Sequence, residues 1–264
     1  MSTSNLEILF LGSGAAFTTG GDNYQSNILL RLGDTSLLVD CGSDIRFSLF
    51  DQGLNYDSAQ DVYISHLHAD HVFGLEWLGF NRKFNSSLPK PVLHLSNKIV
   101  KKIWANVLSG AMSSLENEVS TLESFFSVYP IGKENYFHWQ GIKFNLVRTV
   151  HSKNNRQLNP SFGLFWVYAG QRIFLTTDTQ FCAGYLMDYY RKADLIFHDC
   201  ETSKVHSGVH AHYNELLSLD PTIKNKMWLY HYNPGVLPEA DKAGFKGFVK
   251  KGQSFVISSL NKGD

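Results

Sequence analysis

The segment Ser65-His66-Leu67-His68-Ala69-Asp70-His71 places three imidazoles and one carboxylate within a few residues, directly after the apolar run Val62-Tyr63-Ile64. An isolated histidine is usually an ordinary core or surface side chain, but such a dense group is hard to explain structurally. In an extended segment His66 and His68 lie on the same side, whereas Asp70 and His71 follow on a turn. Neighbouring ligands could therefore divide between two metal ions. Imidazoles and carboxylates without a thiolate fit Zn²⁺, Mn²⁺ or Fe²⁺.

Outward from this segment, the chain is a series of short apolar runs, most of them followed by polar loops. We predict strands at residues 7–11, 26–32, 36–39, 62–65, 143–150, 162–168, 172–176, 195–198 and 227–230. Helical spacing predicts helices at 73–84, 98–108, 183–191 and 213–219. Two halves, each with strands and then helices, predict an α/β fold, a four-layer αββα sandwich. Because no linker or composition shift divides the chain, we expect one domain over residues 1–264.

The pattern H-x-H-x-D-H after a strand, with Asp40-Cys41-Gly42 upstream, resembles the metallo-β-lactamase superfamily along nearly the whole chain. The resemblance implies a hydrolase with two divalent metal ions, Zn²⁺ being the first choice, that share a bridging water and lower its pKa. It implies one ion bound by His66, His68 and a later histidine, a second bound by Asp70, His71 and another late histidine, and a bridging carboxylate. Candidates for the remaining ligands follow apolar runs at His151, Asp178 and His231. We also count Asp70 as a catalytic residue.

Further motifs resemble ribonuclease Z and its small phosphodiesterase relatives, among them cyclic nucleotide enzymes: Leu11-Gly12-Ser13-Gly14, Thr177-Asp178-Thr179 and His198-Asp199-Cys200-Glu201-Thr202. Such relatives use a histidine in the segment that follows, held by a carboxylate, as a proton donor or phosphate contact. By position we favour His210, with His212 as the alternative and Asp199 or Glu201 as the orienting carboxylate. Histidine suits proton donation because its unperturbed pKa lies near neutrality.

Charge and spacing bear on the substrate. Ribonuclease Z enzymes that process tRNA typically carry a protruding basic arm, often between the third histidine motif and the aspartate motif, and the interval from His151 to Asp178 is too short for it. With 24 Lys and Arg against 24 Asp and Glu, the chain has no basic excess for gripping many phosphates. We therefore expect a small phosphodiester substrate such as a 3′,5′-cyclic nucleotide. The alternatives are a tRNA 3′ endonuclease, with nucleic acid as its substrate, and a lactonase or other carboxyl-ester hydrolase. A binding protein that has lost the chemistry is a further alternative.

Location and assembly are expectations from the sequence and from the resemblance. The N-terminal residues show no secretory signal pattern and no window holds the roughly 18 apolar residues of a membrane span, so we expect a cytoplasmic protein without a membrane partner. Cys41, Cys182 and Cys200 are odd in number and lack C-x-x-C spacing, which favours reduced thiols. Dimers are common among the relatives that the chain resembles, and we expect a homodimer.

Overall fold

The computed structural model describes residues 4–155 and 157–258, so both ends of the predicted domain 1–264 lie outside the described residues. Most of its longer strands follow the apolar runs of the sequence. The strands are β1 (Leu6–Phe10), β2 (Ile28–Leu32), β3 (Thr35–Val39), β4 (Asp61–Ile64), β5 (Val92–Ser96), β6 (Ser114–Leu115), β7 (Glu118–Val119), β8 (Ser127–Ile131), β9 (Tyr136–Trp139), β10 (Ile142–Arg148), β11 (Lys153–Asn154), β12 (Gln157–Leu158), β13 (Phe162–Tyr168), β14 (Gln171–Leu175), β15 (Leu195–Asp199), β16 (Met227–Tyr230), β17 (Gly247–Phe248) and β18 (Ser254–Ile257).

The helices are short and connect or cover the strands. They are α1 (Ile45–Asp51), α2 (Ala69–Val72), α3 (Gly74–Phe84), α4 (Val100–Lys102), α5 (Ser109–Met112), α6 (Leu122–Phe125), α7 (Ala183–Lys192), α8 (Tyr213–Leu216) and α9 (Pro221–Lys224), with a 3₁₀ turn at Tyr56–Ser58 and a π-helical segment at Ile103–Leu108. Within residues 4–155 and 157–258, no helix has the length and apolar character needed to cross a bilayer.

Two seven-stranded sheets form the framework. The first has the strand order β18-β1-β2-β3-β4-β5-β8, and the second has the order β17-β16-β15-β14-β13-β10-β9. In each sheet, antiparallel strands lead into parallel ones: β3, β4, β5 and β8 run parallel in the first, and β14 to β17 in the second. Because the carboxyl ends of parallel strands share one edge of a sheet, the loops that follow them are brought together.

Three apolar clusters define the layers. One joins the inner faces of the two sheets, for example through Phe10 and Phe197, whose ring centroids lie 5.1 Å apart. A second packs the other face of the first sheet against helices, as Leu38 and Leu75 show, and a third does the same for the second sheet, where Ile196 packs with Leu186. This arrangement confirms the predicted four-layer αββα sandwich.

The structure differs from the predicted elements in a few places. The prediction missed the strands β5, β8, β9 and β18, the two-residue strands β6, β7, β11, β12 and β17, and the short helices α1, α2, α5, α6 and α9. The predicted helix at 98–108 contains only one α-helical turn, because a π-helical segment occupies residues 103–108. β8 contains Pro130, which cannot donate a backbone hydrogen bond and is tolerated because β8 lies at a sheet edge.

Candidate metal centre

The predicted metal ligands meet at the edge where strands of both sheets end. In the first sheet, the segment that begins at Ser65 follows β4, and Asp40 follows its parallel neighbour β3. In the second sheet, Asp178 comes shortly after β14 and His231 directly after β16. These two strands flank β15 and run parallel to it, so the sheet topology brings residues far apart in sequence to one place.

The first group of candidate ligands consists of His66, His68, His151 and Asp178. His68 Nδ1 lies 3.1 Å from His66 Nε2 and 3.0 Å from His151 Nε2. Asp178 Oδ2 lies 3.6 Å from the Nε2 atoms of both His66 and His151. Three ring nitrogens and one carboxylate oxygen thus lie close together, as in a four-coordinate site.

The second group consists of Asp70, His71, His231 and the same Asp178. His71 Nε2 lies 3.1 Å from Asp70 Oδ2 and 3.3 Å from Asp178 Oδ2. His231 Nε2 lies 3.3 Å from Asp70 Oδ2 and 3.5 Å from Asp178 Oδ1. Asp178 therefore faces both groups, as a bridging carboxylate would.

The chemistry of these atoms fits bound cations. His71 Nε2 and Asp178 Oδ1 are buried, and neither atom has a well-formed hydrogen bond among the described residues. A buried polar atom without a partner costs free energy, and contact with a bound cation would remove that cost. Burial lowers the pKa of His66 well below its ordinary value and also lowers those of His68 and His151, which keeps these rings neutral and able to bind a metal. The oxygen and nitrogen donors of these two groups fit divalent metal ions, including the Zn²⁺, Mn²⁺ or Fe²⁺ predicted from the sequence.

Hydrogen bonds behind the ligands fix which ring nitrogen faces the centre. The Ser65 hydroxyl donates to Asp40 Oδ2 (2.7 Å), so it accepts from His66 Nδ1 (3.0 Å). His151 Nδ1 donates to the carbonyl of Val209 (2.7 Å). With the proton on Nδ1, both His66 and His151 keep the lone pair of Nε2 for a metal.

Asp40 lies directly behind the candidate ligand His71, and the sequence analysis gave it no role. Its carboxylate accepts a hydrogen bond from His71 Nδ1 (2.7 Å) and another from the Ser65 amide (2.8 Å). Its backbone adopts a left-handed conformation, with φ 63°, which few residues other than glycine, asparagine and aspartate adopt. The motif Asp40-Cys41-Gly42 after a strand was the available signal, but the motif alone does not show which side chain the carboxylate would contact.

His210 lies beside the two groups and is held by Asp199. His210 Nδ1 lies 2.8 Å from Asp199 Oδ2, and the His210 ring stacks on His231 with ring centroids 4.8 Å apart. The Thr179 amide donates to the same Asp199 oxygen (2.9 Å) and holds the carboxylate in place. Burial alone would lower the pKa of His210, but the charge of Asp199, the hydrogen bond to that carboxylate and the charge of Asp178 together raise it above its ordinary value.

His212 and Glu201 lie nearby, but their polar atoms are used in local structure. The His212 ring caps α8 by accepting a hydrogen bond from the Asn214 amide (3.2 Å), and its other nitrogen donates to the carbonyl of Ser203 (2.9 Å). Both carboxylate oxygens of Glu201 accept from the Ser207 amide, at 3.1 and 2.9 Å. The structure thus brings His210 and Asp199 to the metal groups and leaves His212 outside them.

Two cavities open at the centre. The one that we call the His210 cavity has a volume of about 330 Å³ and is lined by residues that include Phe17, His68, Asp70, Val209, His210 and His231. The other, which we call the polar cavity, has a volume of about 320 Å³ and is lined by residues that include His66, His68, Lys102, Asn106, His151 and Asn159. The His210 cavity contacts ligands of both groups, whereas the polar cavity contacts ligands of the first group only.

An αββα sandwich with two histidine and aspartate groups that share one carboxylate defines a metal-dependent hydrolase of the metallo-β-lactamase superfamily. Within it, the chain belongs to the family described as Anti-Pycsar protein Apyc1, whose family model matches residues 6–255.

Relatives agree with this assignment, and a solved structure agrees with the fold. The chain is 32% identical over 257 residues to an Anti-Pycsar protein Apyc1 of Paenibacillus harenae, an alignment that covers 96% of this chain and 100% of the relative. A protein of the same name from Bacillus phage 010DV004 is 30% identical over 265 residues, which cover 96% of this chain and 98% of the relative. The metallo-β-lactamase fold protein YhfI of Bacillus subtilis is 18% identical and has a TM-score of 0.73 over 96% of this chain and 99% of its own. That likeness supports the fold alone.

Proposed function

We propose that this protein is a phosphodiesterase that opens 3′,5′-cyclic nucleotides, with Zn²⁺ at both sites as the first candidate and Mn²⁺ or Fe²⁺ as alternatives. The main support for this proposal is the His210 cavity, which contacts both metal groups and is lined by a histidine that Asp199 orients. Membership of a family named for acting against Pycsar agrees with a small nucleotide signal as the substrate.

The chemistry divides between the metals and the chain. When bound, two divalent ions supply positive charge for the phosphate oxygens and lower the pKa of a water molecule. Water adds to phosphorus, one ester P–O bond breaks, and the leaving oxygen needs a proton. His210 is placed to give it from Nε2, because its Nδ1 atom is engaged by Asp199. Asp199 holds the ring in this orientation and stabilises its protonated form.

The tRNA endonuclease alternative would require a protruding arm, and the segment where such an arm is often inserted is short. Between His151 and Asp178 the described residues form only the β11–β12 hairpin and the strands β13 and β14. The zero net charge also offers little electrostatic attraction for a polynucleotide. A small, singly charged phosphodiester needs neither feature.

The test is a comparison of substrates on enzyme loaded in parallel with Zn²⁺ and Mn²⁺. We expect turnover of 3′,5′-cAMP, cGMP, cCMP and cUMP, and no cleavage of a tRNA precursor or of a lactone panel. His210→Ala is expected to lower kcat by roughly 10²- to 10⁴-fold with both metals retained, because a general acid contributes about that much. The matched control is His206→Ala, an exposed histidine of the same loop outside the cavity.

Other results would contradict the proposal in distinct ways. Trimming of the tRNA 3′ end without cyclic nucleotide turnover would favour the endonuclease, and lactone opening alone would favour a carboxyl-ester hydrolase. A His210→Ala variant that retains full kcat would remove the proposed proton donor. We further propose a cytoplasmic homodimer, to be checked by cell fractionation and by light scattering of the purified protein.

A further inference from the structure

A large aromatic side chain lies exposed at the His210 cavity. Phe17 is 86% exposed and lines this cavity together with Ala15, Ala16 and Val209, which make much of its wall apolar. Leaving a phenylalanine in water forfeits the free energy that its burial would contribute. A neighbouring cavity that receives a flat apolar group would recover that free energy.

The backbone holds Phe17 in place. The Thr18 amide donates to the carbonyl of Ala15 (3.0 Å), which closes a turn with Phe17 at its third position. The Ala15 amide donates in turn to the carbonyl of Tyr232 (2.9 Å), directly after the ligand His231. The turn is thus tied to the metal centre, so the entropy lost when a ligand packs against the ring is that of the Phe17 side chain rather than of its backbone.

The position of the phosphate determines where the rest of a substrate lies. A phosphodiester that contacts both metal groups must lie in the His210 cavity, because the polar cavity contacts ligands of only one group. The apolar part of this cavity's wall, to which Phe17 belongs, is then open to the ribose and base. We propose that Phe17 is the stacking platform for the nucleobase of the cyclic nucleotide, an inference that rests on the proposed function.

The polar side chains near Phe17 already form hydrogen bonds within the protein, which favours recognition of the base by stacking over recognition by hydrogen bonds. Both oxygens of Glu201 accept from the Ser207 amide, and Asn233 Oδ1 accepts from the Thr202 amide (2.9 Å). Each of these side-chain oxygens therefore already has a donor before a base arrives. An aromatic face, in contrast, can interact with the π-face of a base without reading its edge.

The test compares Phe17→Ala and Phe17→Trp with the wild-type enzyme on 3′,5′-cAMP, on 3′,5′-cCMP and on an abasic 3′,5′-cyclic ribose phosphate. We expect Phe17→Ala to raise KM for cAMP by roughly 5- to 100-fold, the range typical of loss of one stacked base. The rise should be smaller for cCMP, because a pyrimidine has a smaller π-face. KM for the abasic compound and kcat for all three substrates should stay within about twofold, and Phe17→Trp should restore KM for cAMP.

The matched control is Phe50→Ala, which removes a phenylalanine that is 80% exposed but does not line the cavity. It should leave every KM unchanged. Equal KM values for cAMP in wild type and Phe17→Ala, or an equal rise for the abasic compound, would overturn the stacking role while the proposed function stands. Failure of the wild-type enzyme to cleave any cyclic nucleotide with either metal would overturn both.

Discussion

Replacing Asp40 with asparagine is expected to weaken the second metal site directly, through His71, and the first site less, through the Ser65 hydroxyl that contacts His66. The Asp40 carboxylate accepts from the Ser65 amide at 2.8 Å, the Ser65 hydroxyl at 2.7 Å and His71 Nδ1 at 2.7 Å. Asparagine has one acceptor oxygen, so either orientation of its side chain places the NH₂ group against a donor. Asparagine also tolerates the left-handed backbone at this position, so the change tests hydrogen bonding rather than backbone strain.

The size of the effect follows from the tautomer of His71. If the new NH₂ group faces His71 Nδ1, the ring must carry its proton on Nε2, the atom that faces Asp70 and Asp178. Residues that orient a metal-binding histidine typically contribute 10- to 100-fold in metal affinity, or about 1.4 to 2.7 kcal/mol. We therefore expect the dissociation constant of the second ion to rise by roughly 10- to 100-fold, with a fall in kcat at limiting metal.

The assay is competition with a chromophoric chelator, followed by elemental analysis of the protein at limiting metal. Asp61→Asn is the matched control, because Asp61 also accepts from a histidine, His94 Nε2 at 2.7 Å, but belongs to neither metal group. Asp61→Asn should bind two ions with the affinity of the wild type. Two ions bound with unchanged affinity in Asp40→Asn would refute the role given to Asp40.

Three further changes test other parts of the structure. His212→Ala should lower the free energy of unfolding by about 0.5–2 kcal/mol through loss of a helix cap but leave kcat within about threefold, as measured by urea unfolding and turnover. Gly42→Ala should reduce metal content and the melting temperature, because a Cβ atom there would lie 2.1 Å from the Asp70 carbonyl oxygen. Hydrogen bonding to Arg172 lowers the pKa of Asp194 to about 2, so the stability that this pair contributes is present above pH 4 and lost as pH falls towards 2. Asp194→Asn should accordingly be less stable than wild type by about 0.5 kcal/mol or less at pH 7, since the pair is exposed, with the difference shrinking in urea unfolding below pH 4.

Each of these three predictions has a control or an outcome that would contradict it. Gly110→Ala places a Cβ atom with no neighbour within 4 Å and should leave metal content unchanged, unlike Gly42→Ala. Inactive but well-folded His212→Ala protein would restore His212 as a candidate proton donor. A stability difference for Asp194→Asn that is the same at pH 3 and pH 7 would contradict the assigned cause of the pKa shift.

The parts of the fold and site that could be predicted are those encoded locally. His66 and His68 alternate on one extended segment, and ligands such as Asp178 and His231 follow apolar runs, so pattern and resemblance together lead to the centre. β8 could not be predicted in this way, because Pro130 is typical of loops and is tolerated only when the strand lies at an edge.

The remaining features depend on tertiary contacts and local backbone geometry, which the residue pattern does not reveal. His210 and His212 are two residues apart in one loop, and sequence spacing alone does not separate a histidine held by Asp199 from one that caps a helix. Asp40 contacts His71 because parallel pairing places the ends of β3 and β4 side by side. The π-helical segment at Ile103–Leu108 has the same apolar spacing as an α-helix over its short length, so periodicity did not reveal it.

The pairing of β18 with β1 has a consequence for synthesis on the ribosome. Leu6 pairs with Ile257, so one edge of the first sheet stays without its neighbour until nearly all of the described chain has emerged. During translation that edge offers unpaired backbone groups to other nascent chains, a known route to aggregation. Slower elongation or chaperone capture late in translation should therefore increase the yield of folded protein more than the same intervention early.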